Sequence, residues 1–135
     1  MEENKHFMIG NLVRNKITNE VIKITSIDED GVFDENSCYY VYNSIEKIPL
    51  TDEFFKNNAY HFETLKKKDN GRVVTIISTE NYIGPAITKY ESDIFSTYSP
   101  TEYCIAGIII RTVDEYQNLM NICRCSFISD KIKID

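Results

Sequence analysis

Short runs of alternating apolar and polar residues, separated by polar turns, make up the first third of the chain. Strand-forming Val, Ile and Thr are frequent in MIGNLVRN (8–15) and EVIKITSI (20–27), and SCYYVYNSI (37–45) adds aromatic residues. The polar segments NKITN and DEDGVF lie between these runs and predict turns. Because strands joined by short turns pair antiparallel, we predict an N-terminal SH3-like antiparallel β-meander.

A short helix is predicted over residues 51–58, within EKIPLTDEFFKNNAY. Thr51 has the hydroxyl of an N-cap, and two acidic residues follow in the first turn, where the helix dipole favours them. Leu50 and Phe55 stand at the two positions of a hydrophobic staple. Asn tolerates left-handed backbone, so Asn57-Asn58 predicts the end of the helix. The pattern is explained by local structure, without a functional motif.

The segment HFETLKKKDNGRVVTIIST (61–79) has the pattern of a β-hairpin. Asn70-Gly71 is a strong signal for a two-residue type I′ turn. This turn sets the register of the two strands, so that Asp69 lies opposite Arg72, and Leu65 lies opposite Ile76.

Two further strands are predicted beyond this hairpin. One covers residues 87–91, and a loop follows it in SDIFSTYSPTE (92–102). The other is the apolar run YCIAGIII (103–110), which is typical of a central strand covered on both faces. Gly107 within this run predicts a bulge or a close backbone approach.

An amphipathic helix is predicted near residues 112–124, where Thr112 and Glu115 form a capping-box pattern. A helical wheel places one set of side chains together on an apolar face: Val113, Tyr116, Leu119, Met120 and Cys123. The polar residues are predicted to face the other way: Asp114, Gln117, Asn118 and Asn121. The tail SFISDKIKID (126–135) alternates and predicts an edge strand.

These elements together predict an α+β fold. The chain has 135 residues, which is the size of one domain, and its 42% hydrophobic and 27% charged content is typical of a globular protein. We predict a single domain over residues 1–135, with residues 1–48 as an alternative β subdomain packed on the remainder.

Charge and cysteine content narrow the classes of partner and the compartment. The net charge of −6 argues against binding to nucleic acid or to an anionic membrane surface. The acidic N-terminal segment lacks the apolar core of a secretory signal, and the longest apolar run is too short to span a bilayer. We therefore expect a cytoplasmic protein whose four cysteines are reduced thiols.

No cluster of residues has the spacing of a catalytic or metal site. A Cys104–His61 pair would supply a nucleophile and a base, but Cys104 lies in the apolar run, where thiols are usually inert. CRC (123–125) lacks the second ligand pair of a zinc site, and DEDGVFDE lacks the EF-hand register. The sequence also contains no glycine-rich phosphate loop. We therefore predict a protein that is not an enzyme and needs no cofactor or metal.

Tyrosine is the one residue type in clear excess, with nine residues and no tryptophan. Tyrosine is frequent at binding surfaces because its ring is apolar and its tip is polar. The middle of the chain combines such rings with basic residues able to meet phosphate. The candidate ligand-binding residues are Tyr82, Tyr90, Tyr98 and Tyr103 for stacking, and Lys66, Lys68, Arg72 and Lys89 for phosphate.

Three segments carry a resemblance to a known group of proteins. IGNLVRNKITNEVIKITSI (9–27) is followed by IEKIPLTDEFF (45–55), and TVDEYQNLMNIC (112–123) comes near the end. This order resembles small proteins of unassigned activity from Bacteroidetes genomes, their phages and mobile elements. Asn57-Asn58 stand where that group often has glycine, and Asp114 stands where it commonly has histidine. The resemblance implies a biological setting and assigns no residue a role.

The setting and the lack of a catalytic cluster favour a non-catalytic binding protein of phage or mobile-element origin, in the cytoplasm of a bacterial host. Such a protein would sequester a small nucleotide signal used in host defence, and we expect it to form a homo-oligomer. One alternative is an inhibitor or adaptor that binds a host protein. Others are a small phosphohydrolase-type enzyme and a purely structural module.

Overall fold

The computed structural model describes residues 7–58, 60–69, 72–78, 86–92, 101–122 and 132–134. The chain divides into two compact units, Met1–Pro49 with Thr112–Ile122, and Leu50–Arg111 with Cys123–Asp135. The described sheets are antiparallel, and of the two described α-helices one lies near the C-terminus. The α+β class is therefore confirmed, and the single domain stays a prediction.

The first unit contains two three-stranded sheets. Its strands in chain order are β1 (Leu12–Asn15), β2 (Val21–Lys23), β3 (Ser26–Ile27), β4 (Gly31–Phe33), β5 (Tyr39–Val41) and β6 (Ile45–Lys47). The sheet orders are β2-β1-β6 and β3-β4-β5, and a 3-10 helix, Tyr42–Ser44, connects β5 to β6. The last strand therefore pairs with the first, while the middle strands form their own sheet.

Alternation along β5 and into the residue that follows it decides which tyrosines pack against the core of this unit. The core is formed by Phe7, Val13, Ile22, Ile24, Val32 and Ile45. Tyr40 and Tyr42 pack against that core, as their two-residue spacing predicted. Tyr39 points the other way and is 41% exposed.

The C-terminal helix α2 (Val113–Ile122) is buried on more than its apolar side. Val113, Tyr116 and Met120 are buried as predicted. The prediction that Asp114 and Gln117 face away is wrong, because both are buried as well. A helical wheel assigns polar residues to solvent and cannot anticipate that a neighbouring element needs their hydrogen bonds.

Polar side chains of α2 form hydrogen bonds with residues at the start of β1. The Gln117 side chain accepts a hydrogen bond from the Leu12 amide at 2.9 Å and donates one to the Gly10 carbonyl at 3.0 Å. Asn11 donates from its side-chain amide to Asn118 at 2.8 Å. The two bonds of Gln117 pair backbone groups that β1 leaves open where it begins, and together with the Asn11–Asn118 bond they connect α2 to β1 by polar contacts.

The capping box predicted at the start of α2 is wrong in its threonine half. Thr112 Oγ1 is buried and has no hydrogen-bond partner among the described residues. Thr112 is held instead by its backbone, which forms a β-bridge with Pro49 and accepts a hydrogen bond from the Tyr116 amide at 3.1 Å. The predicted continuation of this helix to residue 124, with Cys123 and Cys125, lies outside the described residues.

The second unit is a five-stranded sheet with one short helix. Its elements in chain order are α1 (Asp52–Asn57), β7 (His61–Asp69), β8 (Arg72–Ser78), β9 (Ile87–Ser92), β10 (Glu102–Ile105) and β11 (Ile108–Ile110). The sheet order is β11-β10-β9-β8-β7, and every pairing is antiparallel. The predicted strand at 87–91 is thus confirmed, and it is the central strand of this sheet.

The β7–β8 hairpin follows the predicted register only near its turn. Asp69 lies opposite Arg72 as predicted, but Ile76 lies opposite Glu63 rather than Leu65. The register shifts between Thr64 and Lys68, so the pairing near the turn does not continue along the strand. A turn signal sets only the nearest pairs, and a bulge further along can change the rest.

The apolar run at 103–110 folds as a hairpin, and the predicted single central strand is wrong. Tyr103 pairs with Ile110, and the turn residues Ala106 and Gly107 have φ of 51° and 82°. Positive φ at two successive residues is the geometry of a type I′ turn. The sequence does not signal this turn, because apolar residues flank it on both sides. Even exposed positions of β11 are isoleucines, and Ile108 is 53% exposed.

Helix α1 begins as predicted and ends differently. The Thr51 hydroxyl accepts a hydrogen bond from the Phe54 amide at 3.2 Å, which confirms the N-cap. Asn58 has φ of −110°, so the predicted left-handed ending is wrong. Its side chain closes the helix instead, donating to the Phe54 carbonyl at 2.7 Å, and it exchanges two hydrogen bonds with the backbone of Lys133. Most of the predicted C-terminal edge strand lies outside the described residues, and residues 132–134 are not in a strand.

Candidate functional site

An aspartate, a lysine and a tyrosine meet at the N-terminus of α1 in the second unit. Asp52 is the first residue of α1, and its two carboxylate oxygens lie 2.7 Å from Lys89 Nζ and 2.7 Å from the Tyr103 hydroxyl. Lys89 and Tyr103 face each other on β9 and β10, and both are buried. The structure therefore brings together two of the eight predicted ligand residues, Lys89 and Tyr103. Both contact Asp52, for which the sequence predicted only a favourable interaction with the helix dipole.

The electrostatics of this cluster follow from its partial burial. Burial by itself would raise the pKa of Asp52, but the hydrogen bonds from Lys89 and Tyr103 outweigh it and bring the pKa below its ordinary value. Burial, and then the bond to Asp52, raise the pKa of Tyr103 well above its ordinary value. At neutral pH the cluster therefore holds a carboxylate and a neutral phenol.

The groups of this cluster are already engaged with one another. Lys89 Nζ also lies 3.6 Å from Glu91 and 6.0 Å from the centroid of the Phe62 ring. The Tyr103 ring lies 5.1 Å from Phe55 of α1. A phosphate approaching Lys89 would have to compete with two carboxylates, so the arrangement is best suited to fastening α1 on the sheet.

The lowered pKa of Asp52 predicts a stability difference that depends on pH. Its folded pKa lies below the ordinary value of 3.8, so its contribution is fully present above that value and is lost as the pH falls through the folded pKa. We expect the gap in unfolding free energy between wild type and Asp52→Asn, measured in urea, to be largest near pH ~7 and to shrink below pH ~4. A gap that stays constant down to about pH 2 would contradict this assignment.

Among the other predicted ligand residues, only Tyr90 has a described side chain, and it does not join this cluster. Tyr90 follows Lys89 on β9, so it lies on the opposite face of the sheet, and it is half-buried. The backbones of Lys66 and Lys68 lie on β7, and that of Arg72 begins β8. Tyr82 and Tyr98 lie outside the described residues.

The structure does not bring the candidate nucleophile Cys104 and the candidate base His61 together. His61 begins β7 and Cys104 lies on β10, with two strands between them. Three strand spacings amount to roughly 14 Å, which is far beyond hydrogen-bond reach. In the described part of the chain, no three His, Cys, Asp or Glu side chains are grouped to hold a metal.

A second candidate site is the outer face of the β3-β4-β5 sheet in the first unit. Phe33 lies opposite Tyr39, and Val41 lies two residues further along β5, so these three share the side away from the core. Tyr39 and Val41 are 41% and 49% exposed. The β3–β4 turn carries three exposed acids, Asp28, Glu29 and Asp30. We call this set of three apolar and three acidic residues the acidic aromatic face.

The tyrosine and the acids of this face are held in place by hydrogen bonds. The Tyr39 hydroxyl donates to Asp28 at 3.0 Å, and the amides of Asp30 and Gly31 donate to the same oxygen. These bonds, the one from Asp30 first, lower the pKa of Asp28. Burial, and then the bond to Asp28, raise the pKa of Tyr39 to about 12. The face is therefore negatively charged at neutral pH.

The sequence contains a signal for this face, although the predicted ligand residues did not include Tyr39. Residues 24–44 contain five acids and no lysine or arginine: Asp28, Glu29, Asp30, Asp34 and Glu35. The same alternation that packs Tyr40 and Tyr42 against the core leaves Tyr39 on the outer side. A run of acidic residues without basic ones, next to an outward-facing aromatic residue, distinguishes this surface from an ordinary polar one.

Comparison with known proteins gave no match from which a family could be assigned. No protein-family model matches the chain, and neither a curated protein nor a solved structure matches it. The resemblance to Bacteroidetes phage and mobile-element proteins stays a prediction. The two described α-helices, six and ten residues long, and the three-residue 3-10 helix lack the length needed to cross a membrane.

Proposed function

We propose that this protein acts by binding without catalysis, as an inhibitor or adaptor of a host protein. The observation that carries the proposal is the acidic aromatic face, on which Tyr39 and Val41 are exposed beside three exposed acids in a stretch of chain without lysine or arginine. Exposed aromatic residues with rim charges are typical of protein-binding surfaces. The proposed setting is the cytoplasm of a bacterium that carries a phage or mobile element.

The proposal extends to the fold of the first unit, which we assign to the SH3-like barrels. Its support is the strand order, in which β1 pairs with both β2 and β6 while β3, β4 and β5 form the second sheet. The 3-10 helix Tyr42–Ser44 comes just before the last strand. Small barrels of this class commonly bind through exposed loops and sheet faces, so the fold suits a binding role.

Sequestration of a small nucleotide is the other ligand class, and the described residues favour it less. Lys89 and Tyr103 already carry contacts to Asp52, so a phosphate and a base would find neither group open. The first unit presents acids, which repel phosphate. The separation of His61 from Cys104 likewise gives no support to a hydrolase. Self-association stays a prediction that sedimentation of the pure protein measures.

The test combines a protein capture with a nucleotide panel. We expect a host protein captured from a Bacteroidetes lysate, once purified, to bind this protein saturably in isothermal titration. We expect cyclic and linear nucleotides to leave the melting temperature unchanged. A nucleotide at about 100 times its dissociation constant would add roughly 2.7 kcal/mol and raise the melting temperature by several degrees.

The outcomes separate the alternatives. A melting shift with intact nucleotide recovered would replace the proposal with sequestration, and a shift with altered nucleotide would replace it with an enzyme. Failure of every captured protein to bind in purified form would also overturn the proposal.

A further inference from the structure

We infer that the acidic aromatic face binds a basic segment of the partner protein, in which arginine or lysine alternates with apolar residues. The inference rests on the proposed function and names the partner's chemistry and the surface that recognises it. Its first element is the ring pair of Phe33 and Tyr39, whose centroids lie 4.8 Å apart at an angle of 53°. Val41 extends this apolar surface along β5.

The ring at the centre of the face is preorganised. The Tyr39 hydroxyl is bonded to the Asp28 carboxylate, and the Tyr42 hydroxyl is bonded to the Asp28 carbonyl at 2.8 Å. Asp28 also accepts from two backbone amides of its own turn. A partner therefore meets a side chain that is already ordered, which lowers the entropic cost of binding.

The negative charge of the acidic aromatic face indicates which kind of partner segment it binds. Glu29 and Asp30 are exposed in the turn whose Asp28 holds Tyr39, and no lysine or arginine occurs from residue 24 to residue 44. A cationic side chain is attracted both by these carboxylates and by the ring of Tyr39, through a cation–π contact. An aliphatic neighbour on the partner would cover Val41.

The same charge argues against other occupants of this face. A second copy of the chain would bring another acidic face, and the whole protein carries a net charge of −6. Nucleic acid and anionic membranes present negative phosphates, which these acids repel. A basic protein segment is the occupant that satisfies both the apolar and the charged parts of the surface.

The experiment uses the full chain and a fluorescein-labelled nine-residue peptide of alternating arginine and leucine. We expect saturable binding in fluorescence anisotropy that weakens as salt rises, because exposed charges are screened. A glutamate–leucine peptide of the same length should not bind. The double charge reversal Glu29→Lys with Asp30→Lys should weaken binding at least ~10-fold, and Tyr39→Ala should weaken it several-fold.

A matched control changes the net charge equally at other exposed acids. Glu46→Lys with Glu63→Lys places the reversals on β6 and β7, at two exposed acids that are not among the residues of the face. This control should retain binding within about twofold, since every residue of the face is kept and exposed charges elsewhere are screened by salt. Circular dichroism melting of each variant shows that the fold is kept.

Three results would overturn the inference: no peptide binding by wild type, equal loss in the two double variants, or equal binding of the acidic peptide. The captured host protein distinguishes this failure from failure of the proposed function. If that protein binds wild type and the Glu29→Lys, Asp30→Lys variant equally, the proposed function stands and the inference about this face is wrong.

Discussion

The Asp52→Ala variant should unfold with a free energy about 2–3 kcal/mol lower than that of wild type. The change removes the acceptor shared by Lys89 and Tyr103 and leaves a buried ammonium and a buried hydroxyl without it. The loss stays below that of a fully buried pair because the Asp52 side chain is 37% exposed and Glu91 remains near Lys89. Urea unfolding followed by circular dichroism measures it.

The neighbouring residue in the same helical turn provides the control. Glu53 is exposed in the first turn of α1, so Glu53→Ala should cost less than about 0.5 kcal/mol. The double variant Asp52→Ala with Lys89→Met should lose less than the sum of the single variants, since no unpaired ammonium is left behind. Equal losses in Asp52→Ala and Glu53→Ala would show that the cluster does not fasten α1 to the sheet.

The Gly31→Ala variant should lose about 2–3 kcal/mol of stability through a backbone clash. A Cβ at Gly31 would lie 2.2 Å from the Tyr40 carbonyl oxygen and 2.9 Å from the Val41 Cα, both on the neighbouring strand β5. Backbone atoms cannot rotate aside, so β4 and β5 would have to separate. Thermal unfolding by calorimetry measures this loss, and the same variant should weaken peptide binding to the acidic aromatic face.

Gly10→Ala separates steric clash from backbone strain. Gly10 has φ of 97°, but nothing lies within 4 Å of a Cβ built there. Its replacement should therefore cost only the conformational penalty, about 1 kcal/mol. A Gly31→Ala variant no less stable than Gly10→Ala would mean that β5 yields without losing its pairing with β4.

Local chemistry was enough to predict several elements. The Thr51 cap, the β9 strand and the inward side of Tyr40 each depend on residues close in sequence, and each is confirmed. The register near the β7–β8 turn follows from two turn residues, but the bulge beyond Thr64 does not. Such a bulge depends on how the strand meets the rest of its sheet.

In the candidate sites, too, the sequence predicted individual residues, and only the structure revealed their contacts. The sequence alone placed Lys89 and Tyr103 among the ligand residues, but not their shared partner Asp52, which lies 37 and 51 positions away. Tyr39 was visible as a strand tyrosine, and its pairing with Phe33 and its bond to Asp28 required the fold of three strands. Contacts between distant segments carry no periodic signal in the sequence.

By itself, the sequence determined the α+β class, the negative charge and the local caps and turns, because these depend on composition and on neighbouring residues. Only the tertiary structure decided that the run at 103–110 turns back on itself and that Asp114 and Gln117 are buried. It also decided that Lys89 is held by an acid of α1. The buried polar contacts follow from which distant polar groups need a partner once the chain is packed, and that need arises only in the folded state. The hairpin follows from pairing between strands, which an apolar run alone does not specify.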